Sequence, residues 1–151
     1  MLSKLILFSI LILCSICNHP LHSQETIHKS SIIVKLDNHK NNKGLIGINI
    51  FIEKDGFPSD YKKSFVSETF EINAEKNEYI IKDIPPGTYG VSVMHDENSN
   101  LKIDTNIFGV PKEGYAVSNN VKPRKFGPPK FSDALIEHGS ENTILELKLI
   151  Y

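Results

Sequence analysis

The sequence has no tryptophan and only two cysteines, Cys14 and Cys17, both inside or just after its first apolar run. If that run is removed, the remaining chain holds no thiol, which excludes a disulfide framework and thiol catalysis. Charge of one sign is also lacking. A formal net charge of -1 gives no broad field to hold a polyanion, so nucleic acid is not an expected partner. No stretch repeats apolar residues at helical spacing, and there is no His-Glu-x-x-His zinc motif, nucleophile elbow or phosphate-binding glycine loop. Long apolar runs are absent apart from residues 5–16, which fall short of the roughly 20 residues of a membrane-spanning helix.

What is present begins with that short run. A basic start at Lys4 followed by an almost unbroken apolar stretch has the form of a signal peptide, read here as residues 1–23, with Ser23 the small residue before the cut. Lipidation at Cys17 is the lesser alternative, because Ile16 before it is not small. The expected location is exported (periplasmic, outer-surface or extracellular), with no transmembrane span after cleavage. The remaining residues, 24–151, suffice for one domain with a real core and not for two.

Alternation at period two dominates the mature chain. Ile32, Val34 and Leu36 share one face, as do Ile46, Ile48, Ile50 and Ile52, all β-branched and preceded by a turn at Asn41, Asn42 and Gly44. Residues 65–72 and 78–84 read as two more strands joined in a hairpin. Pro85-Pro86-Gly87-Thr88 is a strong turn signal, and beyond it Tyr89, Val91, Val93 and His95 share a face. Residues 131–137 form a weaker strand, and residues 142–151 a strong one carrying Leu145, Leu147, Leu149 and Tyr151. About seven short strands divided by turns predict an all-β, antiparallel two-sheet sandwich, immunoglobulin-like or transthyretin-like.

The rhythm breaks between Asp96 and Lys130, where about 35 residues without a strand exceed the usual connection in a compact domain. Phe108, Val110, Tyr115 and Phe126 punctuate this loop, which is expected to pack against the sandwich. At its start, side-chain oxygens stand at Asp96, Asn98, Asn100 and Asp104, relative positions one, three, five and nine of a calcium loop. The Lys102 carbonyl falls at position seven, and Glu113 can add a carboxylate from further along. Hard oxygen donors in this alternation fit Ca²⁺. The departures are Leu101 at the sixth position, where glycine makes the turn, and Ile107 at the twelfth, where glutamate belongs. The plain alternative is a set of self-capping Asx turns.

The ordered series Pro85-Pro86-Gly87-Thr88-Tyr89, His95-Asp96-Glu97-Asn98, Asp104-Thr105-Asn106, the segment 109–114, Ser118-Asn119-Asn120 and Gly127-Pro128-Pro129 resembles an uncharacterised family of exported bacterial proteins, domain of unknown function twenty-one forty-one, across nearly the whole mature chain. The resemblance implies an immunoglobulin-like or transthyretin-like sandwich and no particular activity. The Pro-Pro-Gly-Thr-Tyr turn also resembles one in carboxypeptidase regulatory-like and adhesin β domains, where it is structural. The function expected is that of a non-catalytic exported module with a calcium-binding loop and a loop-based binding or structural role in the cell envelope, its partner a protein, a glycan or another envelope component. The alternative is a small hydrolase or isomerase using His95 with Asp96 or Glu113.

Overall fold

The structure is a computed structural model and describes residues 28–72, 77–107, 109–125 and 127–151. The segment 1–23 read as a signal peptide, Phe108 and Phe126 lie outside the described residues. Eight strands run in chain order: β1 (Ser30–Asp37), β2 (Leu45–Phe51), β3 (Val66–Glu71), β4 (Glu78–Ile84), β5 (Gly87–Asp96), β6 (Gly114–Val117), β7 (Leu135–His138) and β8 (Thr143–Lys148). They form two sheets, one ordered β4-β1-β8 and the other β3-β2-β5-β6 with β7 also on β5. This is the expected all-β sandwich. No helix among the described residues is long and apolar enough to cross a membrane.

The alternation read from sequence sets the core. Ile32, Val34 and Leu36 of β1, Ile46, Ile48 and Ile50 of β2, Val91 and Val93 of β5, and Leu145 and Leu147 of β8 are all buried in one cluster. Successive side chains of a strand point to opposite faces, so each strand delivers every second residue to the space between the sheets. Ile48 pairs with Val93 and Ile50 with Val91, which puts β-branched side chains side by side on adjacent strands.

Four readings of the sequence need correction. The runs at 65–72 and 78–84 do not form a hairpin: β3 pairs with β2, and β4 pairs with β1 in the other sheet. Their apolar faces meet across the core instead, with the Phe70 and Tyr79 rings 5.3 Å apart. The sheets are not wholly antiparallel, since β8 lies parallel to β1. The long gap contains β6, whose four residues show little alternation because Gly114 has no side chain; a Cβ there would lie 2.6 Å from the Tyr151 ring. Finally, the run at 131–137 opens as a 3-10 turn, Phe131–Asp133, before β7 begins.

β5 carries two short partners in succession on one edge, β7 opposite its first half and β6 opposite its second. At the break between them the buried Ser118 hydroxyl accepts the Val91 N–H at 3.0 Å and donates to the Ala134 carbonyl. Asn119 and Asn120 follow with φ of 60° and 50°, a conformation asparagine tolerates better than most residues. Asn119 donates to the Asp133 and Leu135 carbonyls, and Asn120 donates to the Glu146 carbonyl while accepting from Lys148 N–H. The Ser-Asn-Asn motif is therefore a stitch between β6, β7 and β8. The Pro-Pro-Gly-Thr-Tyr turn is structural in the same way, with the Tyr89 hydroxyl donating to the Pro85 carbonyl at 2.7 Å.

Candidate functional site: a braced loop and a groove on the sheet

Asp96 is the last residue of β5, and its carboxylate starts the long connection. It is fully buried. One oxygen accepts the Asn100 N–H at 3.1 Å and the other the Leu101 N–H at 2.7 Å, so the chain is drawn back over the strand end. Ser99 and Leu101 take φ of 60° and 61° to close this turn; Leu101 thus adopts the conformation that glycine supplies in a calcium loop. Asn98 and Asn100 each accept the N–H two residues on, and both donate their amides to Asp104 at 2.7 and 3.3 Å. Glu113, only 5% exposed, closes the far side by accepting Glu97 N–H at 3.1 Å and Asp104 N–H at 2.9 Å. Buried carboxylates that accept main-chain N–H groups make charge-assisted bonds, and these two satisfy the N–H groups of Glu97, Asn100, Leu101 and Asp104.

The structure therefore gathers Asp96, Asn98, Asn100, Asp104 and Glu113 into one hydrogen-bonded network. Lys102 contributes its N–H to Asn100. Among the described residues no three carboxylate, imidazole or thiol groups lie close enough together to hold a metal ion. Glu97, facing the other way, accepts from Asn41 at 2.6 Å and pairs with Lys40 at 3.3 Å. The Asn41 hydrogen bond, helped by Lys40, holds the Glu97 carboxyl below its ordinary range.

His95 stands apart from these carboxylates. It belongs to the core phase of β5 and is fully buried, whereas the neighbouring Asp96 projects to the opposite face. Its Nε2 donates to the Lys43 carbonyl at 2.8 Å, and its Nδ1 meets the Tyr151 hydroxyl at 2.6 Å. That hydroxyl in turn accepts Lys40 N–H. Both ring nitrogens thus serve to tie the β1–β2 turn and the final residue to β5. Burial, and then the His95 ring, lower the titration of nearby His39.

The expected aromatic surface of the loop is distributed otherwise. Tyr115 lies in β6 and is half-buried, and Val110, expected to pack, is 55% exposed, its main chain bonded to Asn106 through both its carbonyl and its N–H.

The outer face of the five-stranded sheet carries features that the sequence reading missed. At one end Phe51 is buried beneath Phe57, whose ring also contacts Phe131, with centroids 5.4 and 5.3 Å apart. At the other end the braced loop lays Leu101 and Ile103 over the sheet. Between them runs a groove of about 690 Å³, its open mouth included, walled by Tyr61 on one side and by Leu101 on the other. Its floor sets Asn49 opposite both Ser67 and Ser92, and Gly47 opposite Thr69 and Met94. Ser92 donates to the Pro58 carbonyl at 2.7 Å and so anchors the wall that follows β2. The sequence signal was the polar phase of β2, β3 and β5, which alternation alone assigns to solvent. No curated protein and no solved structure matches the chain. Residues 34–146 do match a family model, across both sheets, the braced loop and the groove, and the chain belongs to that family, described as an uncharacterized protein conserved in bacteria (DUF2141).

Proposed function

We propose that the protein is an exported, non-catalytic module of the bacterial envelope that works by binding, and that its binding surface is the outer face of the five-stranded sheet with the braced loop as one wall. The observation that carries this reading is the use of two buried carboxylates, Asp96 and Glu113, to fix a long connection over a sheet face that remains open as a groove. Loops positioned by a rigid scaffold are where binding residues concentrate. The engagement of both His95 nitrogens in the core supports binding over acid–base chemistry.

Ca²⁺ binding at the loop is part of the proposal. In its favour, Asp96, Asp104 and Glu113 belong to one network, and no Lys or Arg forms an ion pair with any of them among the described residues. Each carboxylate oxygen retains lone-pair capacity beyond its present donor. With few charges the affinity should match extracellular modules, at roughly 0.1–1 mM.

Material purified from the envelope fraction of a bacterial host tests both parts. Intact mass should show a chain beginning near residue 24, and recovery with Met1 retained contradicts export. Calcium at about ten times its dissociation constant should raise stability by about 1.4 kcal/mol. Magnesium should do less, and Asp96→Ala and Asp104→Ala should abolish the gain. The absence of any calcium-dependent heat or melting shift up to roughly 10 mM contradicts the calcium part, since that lies above the range of such modules.

A further inference from the structure

We propose that the groove on the five-stranded sheet is a binding site for a neutral saccharide, with the Asn49 side-chain amide as its polar anchor. The inference rests on the reading of this face as a binding surface and adds the ligand class. Asn49 is 6% exposed, projects from β2 to the outer face between Ser67 and Ser92, and lines the groove. Its amide makes no hydrogen bond among the described residues. The amide is not sealed from solvent, so a ligand able to donate and accept at one point replaces the water it would otherwise bind. Vicinal hydroxyls of a sugar meet that requirement, because a carboxamide offers one acceptor and two donors in a plane.

Three further observations narrow the class. The charged groups lining the groove are Asp96 and Lys102. Both Asp96 oxygens already accept main-chain N–H groups beneath the loop, and Lys102 is exposed at the rim. Beside Asn49, the remaining polar side chains are the hydroxyls of Ser59, Ser67, Thr69 and Ser92 and those of the flanking Tyr61 and Tyr115, so recognition would run through neutral hydroxyl and amide contacts with aromatic rings beside them. The floor is the face of β2, β3 and β5, so an extended peptide lying in the groove meets side chains and gains no strand pairing there.

The test uses the purified protein titrated with glucose, galactose, N-acetylglucosamine and maltose, followed by calorimetry and by amide NMR shifts. At least one sugar should bind saturably with shifts centred on Gly47, Asn49, Ser92 and Tyr115. Asn49→Ala should weaken it by roughly tenfold. Thr69→Ala, at an exposed position, should weaken it severalfold with an unchanged melting temperature, which keeps the test valid if Asn49→Ala folds poorly. No saturable binding of any of the four up to roughly 10 mM, an affinity weaker than about 3 kcal/mol, overturns the proposal. So does wild-type affinity in both variants, or equal binding of glucuronate, or groove shifts produced by trialanine and by none of the sugars. Sugar shifts confined to residues 97–113 overturn the groove assignment while the binding-module reading stands. Export and calcium binding without any sugar binding separate the two in the same way.

Discussion

Replacing Gly44 with alanine should destabilise the protein by on the order of 3 kcal/mol or more. Gly44 has φ of 83°, and a Cβ built on it would lie 1.9 Å from the Asp96 carbonyl oxygen and 2.8 Å from the Glu97 Cα. Positive φ alone costs an L-residue roughly 1–2 kcal/mol. The contact is with backbone, so no side-chain rotation relieves it, and the β1–β2 turn must move away from the end of β5. That movement also strains the bond from His95 to the Lys43 carbonyl and the pairing of Leu45 with Asp96. Chemical denaturation should show a lower midpoint for Gly44→Ala, while Gly139→Ala, where nothing lies within 4 Å of the added Cβ, should change stability by less than about 0.5 kcal/mol. Equal stability of the two variants contradicts the packing of this turn.

Ile48→Ala should cost about 2–4 kcal/mol. Ile48 is 1% exposed on β2, a central strand, and Val93 stands opposite it in register. Truncation removes apolar burial and leaves a cavity that the β-branched neighbours fill only in part. Ile52, just past the end of β2 and in the same sequence phase, is 59% exposed, so Ile52→Ala should change stability by less than about 0.5 kcal/mol. The comparison separates burial from alternation, because the sequence pattern assigns the two isoleucines to the same face.

Ile52 also marks where sequence reading reaches its limit. Alternation identifies Ile32, Val34 and Leu36 or Leu145 and Leu147 as core because each strand is read by itself, through a local period. Which strands become neighbours depends on how whole apolar faces meet, and so the parallel pairing of β1 with β8 and the separation of β3 from β4 are invisible to it. β6 escaped because a four-residue strand beginning with Gly114 carries too few side chains to show a period.

The loop was legible in composition and in spacing. Alternating Asp96, Asn98, Asn100 and Asp104, with Glu113 beyond, do meet in one network. The main-chain N–H groups that share those carboxylates could not be read, since donors of that kind exist at every residue. Asn49 and Ser92 were hidden for a further reason. Their polar phase is normally solvated, and only the placing of Pro58, Ser59 and Tyr61 and of residues 101–103 along the sheet, which no local pattern encodes, turns solvent-facing positions into a groove floor.

The central claim is that the connection after β5 is a fixed wall held by two buried carboxylates, and amide hydrogen exchange in calcium-free buffer tests it most directly. The N–H groups of Glu97, Leu101 and Asp104 are bonded to Glu113, Asp96 and Glu113 respectively, so all three should be protected in the native protein. Asp96→Ala should release Leu101, and Glu113→Ala should release Glu97 and Asp104, with the amides of β1, β2 and β8 unchanged in each. Exchange of all three at the rate of an unstructured peptide in the native protein would contradict the account.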